Sequence, residues 1–195
     1  MDSFRMCRGI RAIIAKDHNV LAEKGAIGNP AWSYDEKSVE STLAERFPQM
    51  QPLEVMVMQH IDDQDQKAAT LSAVRRLFIA MGVLDDTPAD HSSVSLTQRW
   101  AIASEKTFID LCDSRHPVAL VILAHYALLV NKRRNIWFLR RWPQLILQNV
   151  RQELQGTHWI QYLEWPDFEI SQARDSPGSS SDSNVSTIQR EKSIV

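Results

Sequence analysis

The chain reads as an all-α protein: an irregular multi-helix bundle around a central apolar helix at about residues 117–131, with a disordered C-terminal tail. Three observations predict this. Val118 to Val130 are apolar apart from His125 and Tyr126, and a helix apolar on every face has no side to offer water, so it belongs inside an assembly of helices. Elsewhere the apolar residues recur at steps of three and four. Only Leu53 to Met58 alternates, weakly, and an isolated run has no strand to pair with.

Taken in order, a short amphipathic segment around Val39 to Phe47 precedes Pro48 and Pro52. Leu71, Val74, Phe78 and Met81 then form a helical stripe, widened by Leu77 and Leu84 and followed by a loop from Asp85 to Asp90 that contains Pro88. Leu96 to about Asp113 reads as one further helix, with Trp100, Ala103, Thr107 and Leu111 along one side. The central helix starts at His116-Pro117, since proline suits the first helical position, where its missing N–H costs little. It is too short to cross a bilayer, which takes about 20 residues. Lys132, Arg133 and Arg134 follow it, where the helix dipole favours cations. Ile136, Trp137, Phe138, Leu139 and Trp142 lead into Pro143, which kinks or restarts a helix. Ile146, Val150 and Leu154 continue it to Gly156, where a terminating glycine is expected. Residues 171–195 hold eight serines with Pro177 and Gly178. Such a segment cannot bury enough surface to offset its ordering entropy and reads as a disordered tail, which leaves 1–170 as an all-α domain.

Composition narrows the function. Hydrophobic residues make up 44% of the 195 and charged residues 24%, which is ordinary for a soluble globular domain. The net charge of −2 provides no overall basic field to draw nucleic acid. Two distant cysteines, Cys7 and Cys112, exclude a disulfide scaffold and fit a reducing compartment. The N-terminus lacks the uninterrupted apolar core of a secretory signal.

Candidate chemistry is sparse. Asp62-Asp63-Gln64-Asp65 invites comparison with the aspartate-rich motif of isoprenoid synthases, but Gln stands at position 66 and no second metal-binding cluster follows. An acidic start to the next helix accounts for it better. Cys112 and His116 supply two potential ligands where a structural zinc needs four, so no metal site and no cofactor are expected. Serine-nucleophile, phosphate-loop and zinc-protease motifs are absent, and no enzyme is expected. Lys132-Arg133-Arg134 and Arg140-Arg141 read as capping charge, or alternatively as a basic patch. His125 reads as a core histidine hydrogen-bonded to a neighbouring helix, or as a group that orients the polar end of an apolar ligand. Trp137, Phe138, Trp142, Trp159, Tyr162 and Trp165 fall within 29 residues. They form either an aromatic core or the wall of a pocket for a greasy molecule, and both readings can hold.

Several motifs occur together in a familiar order. His116-Pro117-x-Ala119-Leu120-Val121-Ile122-Leu123-Ala124-His125-Tyr126-Ala127-x-Leu129, Trp137-x-Leu139-x-x-Trp142, Trp159-x-x-x-Leu163-Glu164-Trp165-Pro166 and the upstream Cys7-Arg8-Gly9-Ile10 resemble the C-terminal regulatory domain of fungal zinc-cluster transcription factors. The resemblance spans about residues 4–170, and the most similar subgroup is that of the sterol uptake control proteins. It implies an all-α regulatory domain in the nucleus or shuttling to it, in some members a sterol sensor controlling sterol or secondary-metabolite genes. It also implies self-association or pairing with a full-length factor. The implied pocket candidates are His125, Tyr126, Trp137, Phe138, Trp142, Trp159 and Trp165. Two departures carry expectations of their own. The six-cysteine DNA-reading module cannot be built from two cysteines, and such modules do not fold without their ligands. Only six residues precede Cys7, so the domain is expected to be incomplete at its N-terminus.

Overall fold

A computed structural model of the chain describes residues 43–86 and 94–175. Within them the protein is all-α, with no strand. Leu43 to Arg46 are helical and lead through a turn to α1 (Met50–His60). There follow α2 (Gln64–Asp85), α3 (Val94–Ala103), α4 (Lys106–Asp113), α5 (Pro117–Asn131), α6 (Trp142–Leu154), a 3₁₀ segment (His158–Leu163) and α7 (Glu164–Asp175). The start of the amphipathic segment at 39–42, part of the 85–90 loop, Cys7 to Ile10 and residues 176–195 of the tail lie outside the described residues. Helix α7 runs to Asp175, within the stretch assigned to the tail.

Local signals explain most boundaries. The weakly alternating run at 53–58 is helical, and α1 buries Met50, Leu53, Met56 and Val57 at helical spacing. Asp63 caps α2 by accepting a hydrogen bond from the Gln66 N–H at 2.8 Å, so the acidic cluster does start a helix. The stretch read as one helix from 96 to 113 is two. The Ser104 hydroxyl donates to the Trp100 carbonyl at 2.8 Å, satisfying one orphan carbonyl at the end of α3. Glu105 is extended, at φ −67° and ψ 147°, and restarts the chain as α4. Helix α4 closes in a Schellman motif, with the Arg115 N–H on the Cys112 carbonyl at 3.1 Å and the His116 N–H on the Leu111 carbonyl at 2.9 Å. Arg115 takes the left-handed conformation usual for glycine there, at φ 59°. Gly156 does the same after α6, at φ 78°. Residues 136–141 form turns rather than helix, and Trp142-Pro143 opens α6.

The core is organised around α5. His116 stands before Pro117 in an extended conformation, as steric contact with a following proline requires. Every residue from Val118 to Val130 is buried. Helix α6 covers α5 most extensively, while α2, α7, the 3₁₀ segment, α1 and α4 close the other sides. Helix α2 supplies Val74, Leu77, Phe78 and Met81, and α6 supplies Ile146, Leu147, Val150 and Leu154.

The basic residues after α5 serve a neighbouring helix as well as their own. Helix α2 has no basic residue in its last turn. The buried Arg133 donates from Nη2 to the Leu84 carbonyl at 3.1 Å and from Nη1 to the Lys132 carbonyl at 2.9 Å. Lys132 pairs with Asp85, which Arg46 also approaches at 3.3 Å. Capping charge is therefore the role of Arg133, which meets end carbonyls of both α2 and α5, while Lys132 pairs with the Asp85 carboxylate at the end of α2.

Candidate functional site

Consecutive residues of α5 point about 100° apart, so His125 and Tyr126 face different neighbours. Burial pushes the His125 imidazole down to about 4, against a smaller opposing effect from its hydrogen bond to the Val121 carbonyl. The side chain is neutral at pH 7. A carbonyl can only accept, so Nδ1 carries the proton that spans the 2.9 Å to Val121. That partner lies one turn back on the same helix, not on a neighbouring one as the sequence suggested. From α7 the Trp165 ring approaches His125 at 5.6 Å and stacks on Phe78 of α2 at 6.3 Å between centroids. Trp165 is half-buried, and its Nε1–H donates to Glu169 at 3.3 Å. This seam between α2, α5 and α7 is aromatic, close to the surface, and carries one buried polar ring.

Tyr126 looks the other way. Its hydroxyl donates to the Thr97 carbonyl of α3 at 3.1 Å, and burial raises its pKa well above the ordinary phenol value. Its ring stacks on Trp100 at 4.6 Å, and Trp100 meets Phe108 edge-on at 5.9 Å. The Trp100 Nε1–H is satisfied by the Ala73 carbonyl at 2.8 Å.

A third cluster gathers Trp159, Tyr162, His158 and His60, with Trp159 4.7 Å from His60 and 4.5 Å from His158. His116 belongs near it. Burial, and a lesser repulsion from His60, lower the His116 pKa, and its buried Nδ1 has no hydrogen-bond partner. Trp137 and Phe138 form a fourth group, edge-to-face at 5.6 Å and exposed, while Trp142 is half-buried against the core.

The seven pocket candidates are thus distributed over several places. His125 and Trp165 come together; Tyr126 pairs with Trp100, Trp159 with His60, and Trp137 with Phe138. The sequence reading did not include Phe78, Trp100, Phe108, His60 or His158 among candidate residues. Trp100 and Phe78 were visible as members of helical stripes, but nothing in sequence links His60 to a segment almost a hundred residues away. Cys112 is buried and His116 half-buried. Among the described residues no group of three or more His, Cys, Asp or Glu could hold a metal ion, and no helix is long and apolar enough to cross a membrane.

Fold and clusters define an all-α bundle wrapped around one apolar helix, whose His125 and Tyr126 meet different aromatic groups. Comparison with known proteins adds a family direction. The chain is 31% identical over 77 residues to a Zn(2)-C6 fungal-type transcription factor of Gibberella zeae, a match covering 39% of this chain and 15% of that protein. The chain therefore spans a small part of its relative's length. No family model matches the chain, and no solved structure matches it significantly.

Proposed function

We propose that this chain is a non-enzymatic regulatory domain related to those of the fungal zinc-cluster transcription factors, working in the nucleus. The observation that carries the reading is the helix from Pro117 to Asn131. It is the longest motif of the resemblance and is buried along its whole apolar length, as the core of such a domain requires. The identity to the Gibberella zeae protein supports the same family. A direct test fuses the chain to an unrelated DNA-binding module and reads a reporter gene. Activation or repression beyond the module alone is expected; the same output as the module alone would remove the regulatory role.

The finer reading is sensing of an apolar, sterol-like molecule at the His125–Trp165 seam. Its support is chemical: aromatic walls, with a neutral buried imidazole to meet a hydroxyl. Ligand would act by binding one packing of α2, α5 and α7 better than another. Titrating sterols against tryptophan fluorescence should change the emission of the half-buried Trp165, and no response across a range of sterols would end the sensing claim. A second reading, pairing with another copy or with a full-length factor, rests on the family resemblance. Light scattering with and without the partner decides it, since a strict monomer that ignores the partner counts against it.

A further inference from the structure

The ten residues after α5 carry exposed side chains that neither core packing nor the His125–Trp165 seam uses. Backbone hydrogen bonds step back three residues: Arg133 to Val130, Arg134 to Asn131, Ile136 to Arg133, Leu139 to Ile136 and Trp142 to Leu139, at 3.0–3.2 Å. Burial repeats with the same three-residue step. One row, Arg133, Ile136 and Leu139, is buried. Of the other two rows, Arg134–Trp137–Arg140 and Asn135–Phe138–Arg141, every residue is exposed except Arg134, which is half-buried. Trp137 is 82% exposed and Phe138 40%. Each exposed ring therefore has an arginine three residues beyond it, and Trp137 has one on both sides. Arg134, Arg140 and Arg141 form no ion pair among the described residues. Between Asp113 and Glu153 the sequence contains no Asp or Glu at all.

We propose that the Arg134–Trp137–Arg140 row, with Phe138 and Arg141 beside it, docks an acidic amphipathic helix of a partner protein. The row sets a cation, an indole and a cation at successive three-residue steps, with Trp137 midway in sequence between Arg134 and Arg140. On an α-helix, carboxylates seven residues apart are separated by about 10.5 Å, and an apolar side chain at the third or fourth position falls between them. An exposed tryptophan flanked by cations that have no ion pair among the described residues is the composition of an interface anchor, with Trp and Arg the residues that most often dominate binding. The net charge of −2 favours a peptide over a polyanion. A short acidic helix samples the local patch, whereas nucleic acid meets the field of the whole domain.

The probe is a capped, alanine-based helical peptide with Glu at two positions seven apart around a central Leu, titrated by calorimetry into the full chain. Binding is expected, weakening as salt rises. Trp137→Ala should weaken it by about tenfold or more, and Arg140→Gln by about threefold. Because both side chains lie outside the core, the far-ultraviolet circular dichroism of the variants should match the parent and so separate lost docking from lost fold. The proposal is overturned by no binding, by equal binding of a peptide with both Glu replaced by Gln, by unchanged affinity in Trp137→Ala, or by tighter binding of a short oligothymidylate or of phosphatidylserine vesicles. None of these readouts involves sterol or a reporter gene, so failure here leaves the regulatory reading standing.

Discussion

In α5 every side chain from Val118 to Val130 is buried, whereas in the segment 132–141 that follows only every third one is. The two stretches are continuous in sequence, yet they are held by different physics. Helix α5 is surrounded, and its position is set by apolar area removed from water on all sides, a non-directional force. The turn segment grips the body through one row, and that row begins with a cation. Arg133 is retained in the interior because two carbonyls, those of Leu84 and Lys132, accept from it. Damage to the first region should scale with methyl groups removed; damage to the second should depend on whether one polar contact survives.

The largest effect is expected from Leu129→Ala in the fully buried helix, a loss of about 3 kcal/mol through lost burial and the cavity left behind. Urea denaturation measures it, and a loss under 1 kcal/mol would mean that α5 is not packed on all sides.

Acid gives the next largest effect. His125 takes a proton near pH 6.5 when unfolded and near 4 when folded. Between those values the unfolded state binds more protons, so stability falls as pH drops through 6.5 towards 4 and levels off below. From pH 7 to pH 5 this one residue should cost about 2 kcal/mol. His125→Phe should remove that part of the pH dependence, and denaturation curves of parent and variant at the two pH values check the difference. Equal slopes would show that the imidazole is not buried.

Arg133→Met keeps the stem and removes the donors, leaving carbonyls unmet, and should cost about 1.5 kcal/mol. Hydrogen exchange should then quicken at 132–141 before it does in α5, and uniform loss across both would erase the contrast drawn above. Trp137→Ala should change stability by no more than about 0.5 kcal/mol, because the ring touches little of the core. A larger loss in thermal unfolding would show that the indole packs rather than waits for a partner.

Much of this was legible from residue order. The central helix announced itself because no strand or surface helix tolerates thirteen buried positions in succession, and Pro117 marked its start. Gly156 and Asp63 marked other boundaries by well-understood local chemistry. The division of 96–113 at Ser104 was not legible, since a hydroxyl that bonds back to a carbonyl and one that faces water look alike in sequence. The three-residue periodicity of 133–142 was hidden because Trp137 and Phe138 are apolar and read as aromatic core or pocket wall, neither of which leaves them exposed. Of the candidate site, His125 was correctly read as buried, but its hydrogen-bond partner was not foreseen, nor was the approach of Trp165, which depends on how the chain returns through α7.

Residue order alone settled the class of architecture, because apolar residues at helical spacing around one all-apolar segment leave few other ways to exclude water. It also carried the resemblance to the fungal zinc-cluster factors. Which aromatic rings meet, that His125 bonds back to Val121 while Tyr126 reaches across to Thr97, and that Arg133 satisfies the end of another helix were decided by packing. The Tyr126–Thr97 and Arg133–Leu84 contacts join positions dozens of residues apart, and a pairing of that range has no signature in either partner's local sequence; it exists once the helices have closed around the same core.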